Sequence, residues 1–263
     1  MKRLILFLIL IFPLSLYSQV NQVDSQGRRQ GVWQKKYPDG NLIYEGQYRD
    51  GEPVGVWTRY HEGGQIKAKI QYAENSDSAS VTLFDPAGTK ISDGTYVNEK
   101  REGLWTFFSG DIMISTEEYK DGDKHGISRK YYPTGELLEE AEWVKGKQDG
   151  RYQVFFQNGQ PYMQCKFSDG KRNGLCLVRF ENNRIEMEAY YVDNLRHGEW
   201  KFYNDKGDYL YSLEYDHGKL LNPEVRDSID NINMQQLEKG RQFLTDPEKY
   251  INNPTEYLMN QRW

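Results

Sequence analysis

One spacing constrains this chain more than any other property. Gly31-Val32-Trp33 is followed by Gly55-Val56-Trp57, Gly103-Leu104-Trp105, Gly126-Ile127, Gly150-Arg151-Tyr152, Gly174-Leu175-Cys176 and Gly198-Glu199-Trp200, at gaps of 24, 48, 23, 24, 24 and 24 residues. The double gap holds a degenerate copy around Ala79, and the short one reflects a deletion near Ser109-Gly110. Other columns keep step with the anchor. Tyr48, Tyr72, Tyr96, Tyr119, Trp143, Phe167, Tyr191 and Tyr215 close the successive copies, and Gly40, Gly64, Gly88, Gly135, Gly159 and Gly207 recur between anchor and ring, with Asn183 once in that place. A fixed period of this length marks a repeat array in which each unit buries its apolar face against its neighbours.

Within a copy, apolar and polar residues alternate with period two, as in Leu42, Tyr44, Gly46 and Tyr48, which is the pattern of a strand with one buried face. Pro38-Asp39-Gly40-Asn41 inside a copy and Asp169-Gly170-Lys171-Arg172-Asn173-Gly174 between copies read as turns. Gly or Asn in the mid-copy column suits a turn residue with positive φ. Each copy therefore predicts a β-hairpin, and the chain an all-β repeat: an elongated single-layer antiparallel sheet of about eight 24-residue hairpins over residues 31–219, the third copy degenerate. Composition supports this. Leu, Ile, Val and Phe make up only about a fifth of the chain after residue 18, too few for a Leu-rich bundle or a Val/Ile-rich doubly wound sheet. The 20 Tyr, 6 Trp and 24 Gly supply rings and turns instead.

The segment Tyr44-Glu45-Gly46-Gln47-Tyr48-Arg49-Asp50-Gly51-Glu52-Pro53-Val54-Gly55-Val56-Trp57 resembles a MORN repeat. More loosely, so does Asp93-Gly94-Thr95-Tyr96-Val97-Asn98 running into Gly103-Leu104-Trp105. Later copies keep the aromatic, the loop and the anchor glycine but lose some early glycines, with Ala141 where Gly46 stands. They are similar to the bacterial MORN-variant family, some members of which are antitoxin partners of polymorphic toxins. The resemblance covers about 190 residues and implies a sheet of hairpins used as a scaffold or binding surface, with Gly31, Gly55, Gly103, Gly126, Gly150, Gly174 and Gly198 as its structural glycines.

Flanking segments differ in character. Met1-Lys2-Arg3 followed by the apolar run Leu4–Phe12 reads as a secretory signal over residues 1–18, too short to span a bilayer and with no cysteine for lipid attachment. Residues 19–30 form a lead-in. The expectation is an exported protein, periplasmic or extracellular, without a lipid anchor. Residues 220–263 read as helix: Asn222-Pro223 pairs an N-cap with a proline start, Val225, Ile229, Ile232 and Gln236 follow at helical spacing, and Asp246-Pro247 and Asn253-Pro254 each start a short helix. This tail either caps the open sheet edge or docks a partner. The net charge of −5 excludes a basic nucleic-acid footprint.

Few residues offer chemistry. Cys165 and Cys176 lie on adjacent predicted strands with the buried parity, so they form either a cross-strand disulfide or two buried thiols. Of the four histidines, His61, His125, His197 and His217, two occupy the same loop place before an anchor glycine, with no metal-ligand spacing. Acidic pairs such as Glu117-Glu118 and Glu139-Glu140 point to opposite faces of a strand and cannot converge on one bond. No catalytic or cofactor motif stands in a suitable context. The candidate stripe is aromatic: Trp33, Trp57, Trp105 and Trp200, with Tyr48, Tyr72, Tyr96 and Tyr191 as cross-strand partners, either the core itself or a surface for ligands. The expectation is a non-enzymatic repeat protein that binds a protein partner and needs no metal or cofactor. A cell-wall or carbohydrate binder and an antitoxin-like partner stand as alternatives.

Overall fold

A computed structural model of the chain describes residues 19–74 and 76–241. The leader at residues 1–18 and the helix starts at Asp246-Pro247 and Asn253-Pro254 lie outside the described residues. The chain divides after Gly126 into two compact units. The first holds β1 (Gln22–Val23), β2 (Arg29–Lys36), β3 (Leu42–Arg49), β4 (Glu52–Tyr60), β5 (Ile66–Tyr72), β6 (Ser78–Phe84), β7 (Lys90–Val97), β8 (Lys100–Ser109) and β9 (Ile112–Lys120). The division falls within β10 (Asp123–Tyr131). The second unit continues with β11 (Leu137–Val144), β12 (Lys147–Phe155), β13 (Pro161–Ser168), β14 (Lys171–Arg172), β15 (Gly174–Arg179) and β16 (Ile185–Val192). It ends in β17 (Leu195–Arg196), β18 (Gly198–Tyr203), β19 (Tyr209–Asp216), β20 (Lys219–Leu220) and helix α1 (Pro223–Arg241). Within each unit the long strands pair antiparallel in sequence order as one open layer of consecutive hairpins, the short β14 and β17 lying on the same neighbour, β13 and β16, as the strands that follow them.

Two turn types set the register. Inside a copy, Tyr37 N–H donates to Asn41 O (2.8 Å) and Gly40 N–H to Tyr37 O (3.0 Å), and the same pair of bonds recurs at Phe180, with Asn183 as third residue. Gly40 has φ 93° and Asn183 φ 66°, so the one copy without glycine carries the residue that best tolerates left-handed backbone. Between copies a two-residue turn has positive φ at both positions, as in Asp50-Gly51 (53° and 90°), which matches the twist of the flanking strands. The seven anchor glycines all have positive φ as well.

The core is one row of side chains on one face. In the first unit Trp33 lies opposite Gly46, Trp57 opposite Ile70, Ile70 opposite Val81 and Val81 opposite Gly94. In the second, Ala141 faces Tyr152, Cys176 faces Ala189 and Trp200 faces Leu213. Where two copies join, sizes are complementary: Gly46 with Trp57, Ile70 with Val81, Gly94 with Trp105, Ala141 with Tyr152, Cys165 with Cys176 and Ala189 with Trp200. A Cβ on Gly46 or Gly94 would fall inside the indole of Trp57 or Trp105. At these two glycines a ring occupies the place of a Cβ, whereas in later copies Ala141 faces the smaller Tyr152 and Ala189 packs with Trp200. In a single layer this matching takes the place of a second sheet, because each ring must find its burial on the backbone of the neighbouring strand.

Helix α1 begins where the repeat stops. Asn222 was expected to cap it through its side chain, but that side chain binds the sheet: Oδ1 accepts from Glu214 N–H (2.8 Å) and Nδ2 donates to Ser212 O (3.1 Å). Leu221 N–H also donates to Glu214 O (2.8 Å). The unpaired groups of β19 draw Asn222 more strongly than the helix start does, which protects an exposed strand edge. Val225 packs on the sheet core, and Ile232, Met234 and Leu237 are exposed. Among the described residues no helix is long and apolar enough to cross a membrane.

Candidate functional site

The aromatic columns form interlocked rings. Trp33–Tyr48, Tyr48–Trp57 and Trp57–Tyr72 meet edge-to-face with centroids 5.6, 4.9 and 6.2 Å apart. Tyr96–Trp105 (5.1 Å), Tyr191–Trp200 (5.1 Å) and Trp200–Tyr215 (5.3 Å) continue the pattern. Trp57, Trp105 and Trp200 are buried, while Trp33, Tyr48, Tyr72 and Tyr96 are half-buried. Each buried indole N–H finds a carbonyl on the neighbouring strand: Trp57 to Gln47 O (3.1 Å), Trp105 to Thr95 O (3.1 Å) and Trp200 to Tyr190 O (3.0 Å). Trp57, Trp105 and Trp200 are therefore core, and so is Tyr191, while Trp33, Tyr48, Tyr72 and Tyr96 present part of their ring surface to solvent.

A column that sequence reasoning passed over sits on these rings. Arg29, Arg101, Arg172 and Arg196 each stand two residues before an anchor glycine. Their guanidinium carbons lie 5.0, 5.1, 4.4 and 5.3 Å from the rings of Tyr48, Tyr119, Tyr191 and Tyr215. Each also donates to that tyrosine's hydroxyl, at 2.7, 2.9, 3.3 and 2.9 Å. The inter-copy turn holds the arginine backbone in place: Gly51 N–H donates to Arg29 O (3.0 Å), Gly122 to Arg101 O (3.0 Å) and Gly218 to Arg196 O (2.7 Å). Recurrence of arginine at that offset was the available signal. Cation–π stacking and a hydrogen bond to one ring restrain the guanidinium, and its remaining donors are left for other acceptors. Tyr119 also donates to Glu117 Oε2 (2.5 Å), and burial, then Glu117, holds its phenol above the usual range.

The second unit breaks the ring row. Cys165 and Cys176 are joined by a disulfide, Cα atoms 4.2 Å apart, where four other joints place a ring over glycine or alanine. By copy equivalence, an indole at position 176 would lie over Cys165 and beside Phe167. An open concavity of about 610 Å³ occurs there, floored by Tyr152, Met163, Cys165 and Phe167 and rimmed by Lys130, Glu139, Gln148, Arg172 and Asn194. Lys130 pairs with Glu139 (3.0 Å), and Tyr152 donates to Glu139 Oε2 (3.1 Å). Burial, then the charge of Glu139, pushes the Tyr152 phenol up to about 12. The groove offers an apolar floor and a polar rim.

The opposite face is different. The residue after the anchor glycine points away from the rings, and Val56, Leu104 and Leu175 there are 57%, 55% and 49% exposed. Ser80, Arg151 and Glu199 stand in the same column, so the fold does not demand an apolar residue at this place.

Hairpins at this period, sharing one ring-filled row, define a β-hairpin repeat protein. The model of the MORN repeat variant matches residues 29–50, 53–74, 124–145 and 148–169, so these four stretches of the chain are MORN-variant repeats. Each matched window opens two residues before an anchor glycine, so it includes the arginine position. No curated protein matches the chain. Among solved structures, a mutant of S. aureus TarM in complex with fondaparinux, alpha-GlcNAc-glycerol and UDP is similar over 36% of this chain and 19% of that one, at 16% identity and a TM-score of 0.29. A second TarM crystal structure is similar over 45% and 20%, at 13% identity and a TM-score of 0.19. The chain thus spans a minor part of both, and neither likeness bears on its fold or function.

Proposed function

We propose that this protein is an exported, non-enzymatic scaffold that binds another protein through the open faces of its hairpin layers. The observation that carries the reading is the exposed apolar column at Val56, Leu104 and Leu175. These side chains recur at a place where polar residues are equally compatible with the fold, so their retention favours a partner surface. The ring face adds arginines stacked over Tyr48, Tyr119, Tyr191 and Tyr215, and the half-exposed rings of Tyr48, Tyr72 and Tyr96, the residue types that anchor protein interfaces. Export rests on the leader sequence at residues 1–18.

The test is crosslinking in intact cells, followed by recovery of the protein from envelope fractions and mass spectrometry. A defined partner should be recovered with the native chain and lost from the variant Val56→Lys/Leu104→Lys/Leu175→Lys, with unchanged thermal unfolding. Recovery of no partner, or of the same partner by the variant, would count against the scaffold reading.

A cell-wall or carbohydrate-binding role is favoured by the half-exposed rings of Tyr48, Tyr72 and Tyr96. Co-sedimentation with peptidoglycan separates it from the first reading. An antitoxin-like role rests on the family resemblance, and co-expression with the product of a neighbouring toxin gene tests it.

A further inference from the structure

The four histidines are not equivalent once the turns are in place. His197 precedes the anchor Gly198, and Asp216-His217-Gly218-Lys219 forms the last inter-copy turn, with His217 at φ 45°. Two contacts fix these turns against each other: Gly218 N–H donates to Arg196 O (2.7 Å) and His217 N–H points at His197 Nδ1 (3.5 Å), while His197 N–H donates to Tyr190 O (2.9 Å) on β16. The two imidazole centroids are 4.7 Å apart. Asp216 Oδ1 lies 3.6 Å from His197 Nδ1 and 2.6 Å from His217 Nδ1.

The contact beneath this cluster is inherited from the repeat. Elsewhere the side chain before the anchor accepts from the first N–H of the same turn: Gln30 from Asp50 (3.1 Å), Glu102 from Asp121 (2.9 Å) and Asp149 from Asp169 (3.2 Å). Only the last copy puts imidazole on both sides and a carboxylate between them. His125 has the same place as His197, but the turn equivalent to Asp216-His217 is Val144-Lys145, which brings a cation and no ligand.

We propose that His197, Asp216 and His217 form a binding site for a divalent transition-metal ion, zinc(II) first. One ligand atom from each lies within 4.8 Å of the others. Zinc takes nitrogen and oxygen ligands at ~2.0–2.2 Å, so tetrahedral ligands sit about 3.3 Å apart. The 3.6 Å separation is already near that value, the 2.6 Å contact opens by a side-chain rotation of the exposed His217, and the His197 Nδ1 lone pair, met by His217 N–H only at 3.5 Å, turns to the ion. Two imidazoles and one carboxylate suit zinc over calcium or magnesium, which prefer all-oxygen shells. Three protein ligands leave a fourth position for water or for a side chain of a bound molecule. The ion would tie the β16–β18 connection to the β19–β20 turn, at the end of the repeat where α1 begins.

The test uses the purified full chain, oxidised and stripped of metal by a chelator, titrated with zinc(II) by calorimetry. One ion should bind per chain. His197→Ala, Asp216→Asn and His217→Ala should each weaken binding by about tenfold or more. His125→Ala should bind as the native chain does. Proton NMR of the native chain reads the same point without substitution, since zinc should shift the imidazole signals of His197 and His217 and leave those of His61 and His125. No saturable binding, affinity undiminished in His197→Ala/His217→Ala, or shifts at the other two histidines would overturn the proposal.

Discussion

Gly94→Ala tests the size-matching rule where it is tightest. The added Cβ would lie 2.6 Å from Trp105 Cγ, and nearer still to Cδ2 and Cε2, whereas non-bonded carbons settle at ~3.5–4.0 Å. The indole must therefore retreat by about 1 Å. It has little room, being 0% exposed, bonded through Nε1 to Thr95 O, and enclosed by Tyr96, Phe107, Tyr119 and the Arg101 guanidinium. Overpacking of this kind costs ~1–3 kcal/mol, and replacing glycine by alanine within a strand returns ~0.5–1 kcal/mol. The net loss should be about 1–2 kcal/mol, seen as a fall of several degrees in the unfolding midpoint. Ala189 coexists with Trp200, so the cost is one of strain and the chain still folds. The sharper measurement is a double-mutant cycle with Trp105→Tyr, which recreates the Ala141–Tyr152 pair. The two changes should couple favourably by about 1 kcal/mol in urea unfolding. A Gly94→Ala protein as stable as the native one, or a strictly additive cycle, would refute the rule.

Other outcomes follow from the same contacts. Cys165→Ala/Cys176→Ala should lower stability by ~2–3 kcal/mol through loss of a short-loop crosslink, and a reductant should weaken the native protein but not the variant. Glu99 occupies the second turn position at φ 63°, where most equivalent turns carry glycine, so Glu99→Gly should raise the unfolding free energy measured in urea by roughly 0.5–1 kcal/mol. Arg101→Lys keeps the charge but loses the planar stack, and should destabilise nearly as much as Arg101→Ala in thermal unfolding; full rescue by lysine would contradict the stacking role. Tyr152 has a folded pKa near 12 against an ordinary 10.0, so the folded state favours its neutral form. That contribution is intact below pH 10 and is lost as pH rises from about 10 to about 12. Unfolding midpoints across that window should fall more steeply for the native chain than for Tyr152→Phe, and parallel curves would sink the assignment.

Much of this was readable from residues alone, for local reasons. Strand, turn and buried parity follow from two short periods and from glycine, and even the exception at Asn183 obeys the φ its turn requires. Columns repeated at one spacing meant that an assignment made at Trp57 applied at Trp105 and Trp200. Asn222 went astray because an N-cap signal is local, whereas the β19 edge that captured its side chain belongs to residues eight and ten positions earlier.

By itself the sequence determined a hairpin array with a ring-filled row, since backbone sterics and alternation act between near neighbours. Tertiary structure alone decided which rings are core, that arginines lie over tyrosines 18 or 19 residues ahead, that the disulfide opens a groove in the row, and that His197 meets Asp216 and His217. Those facts depend on the register between adjacent hairpins. The inter-copy turns and the side chains packed against each neighbouring backbone set that register together, and no single copy contains it.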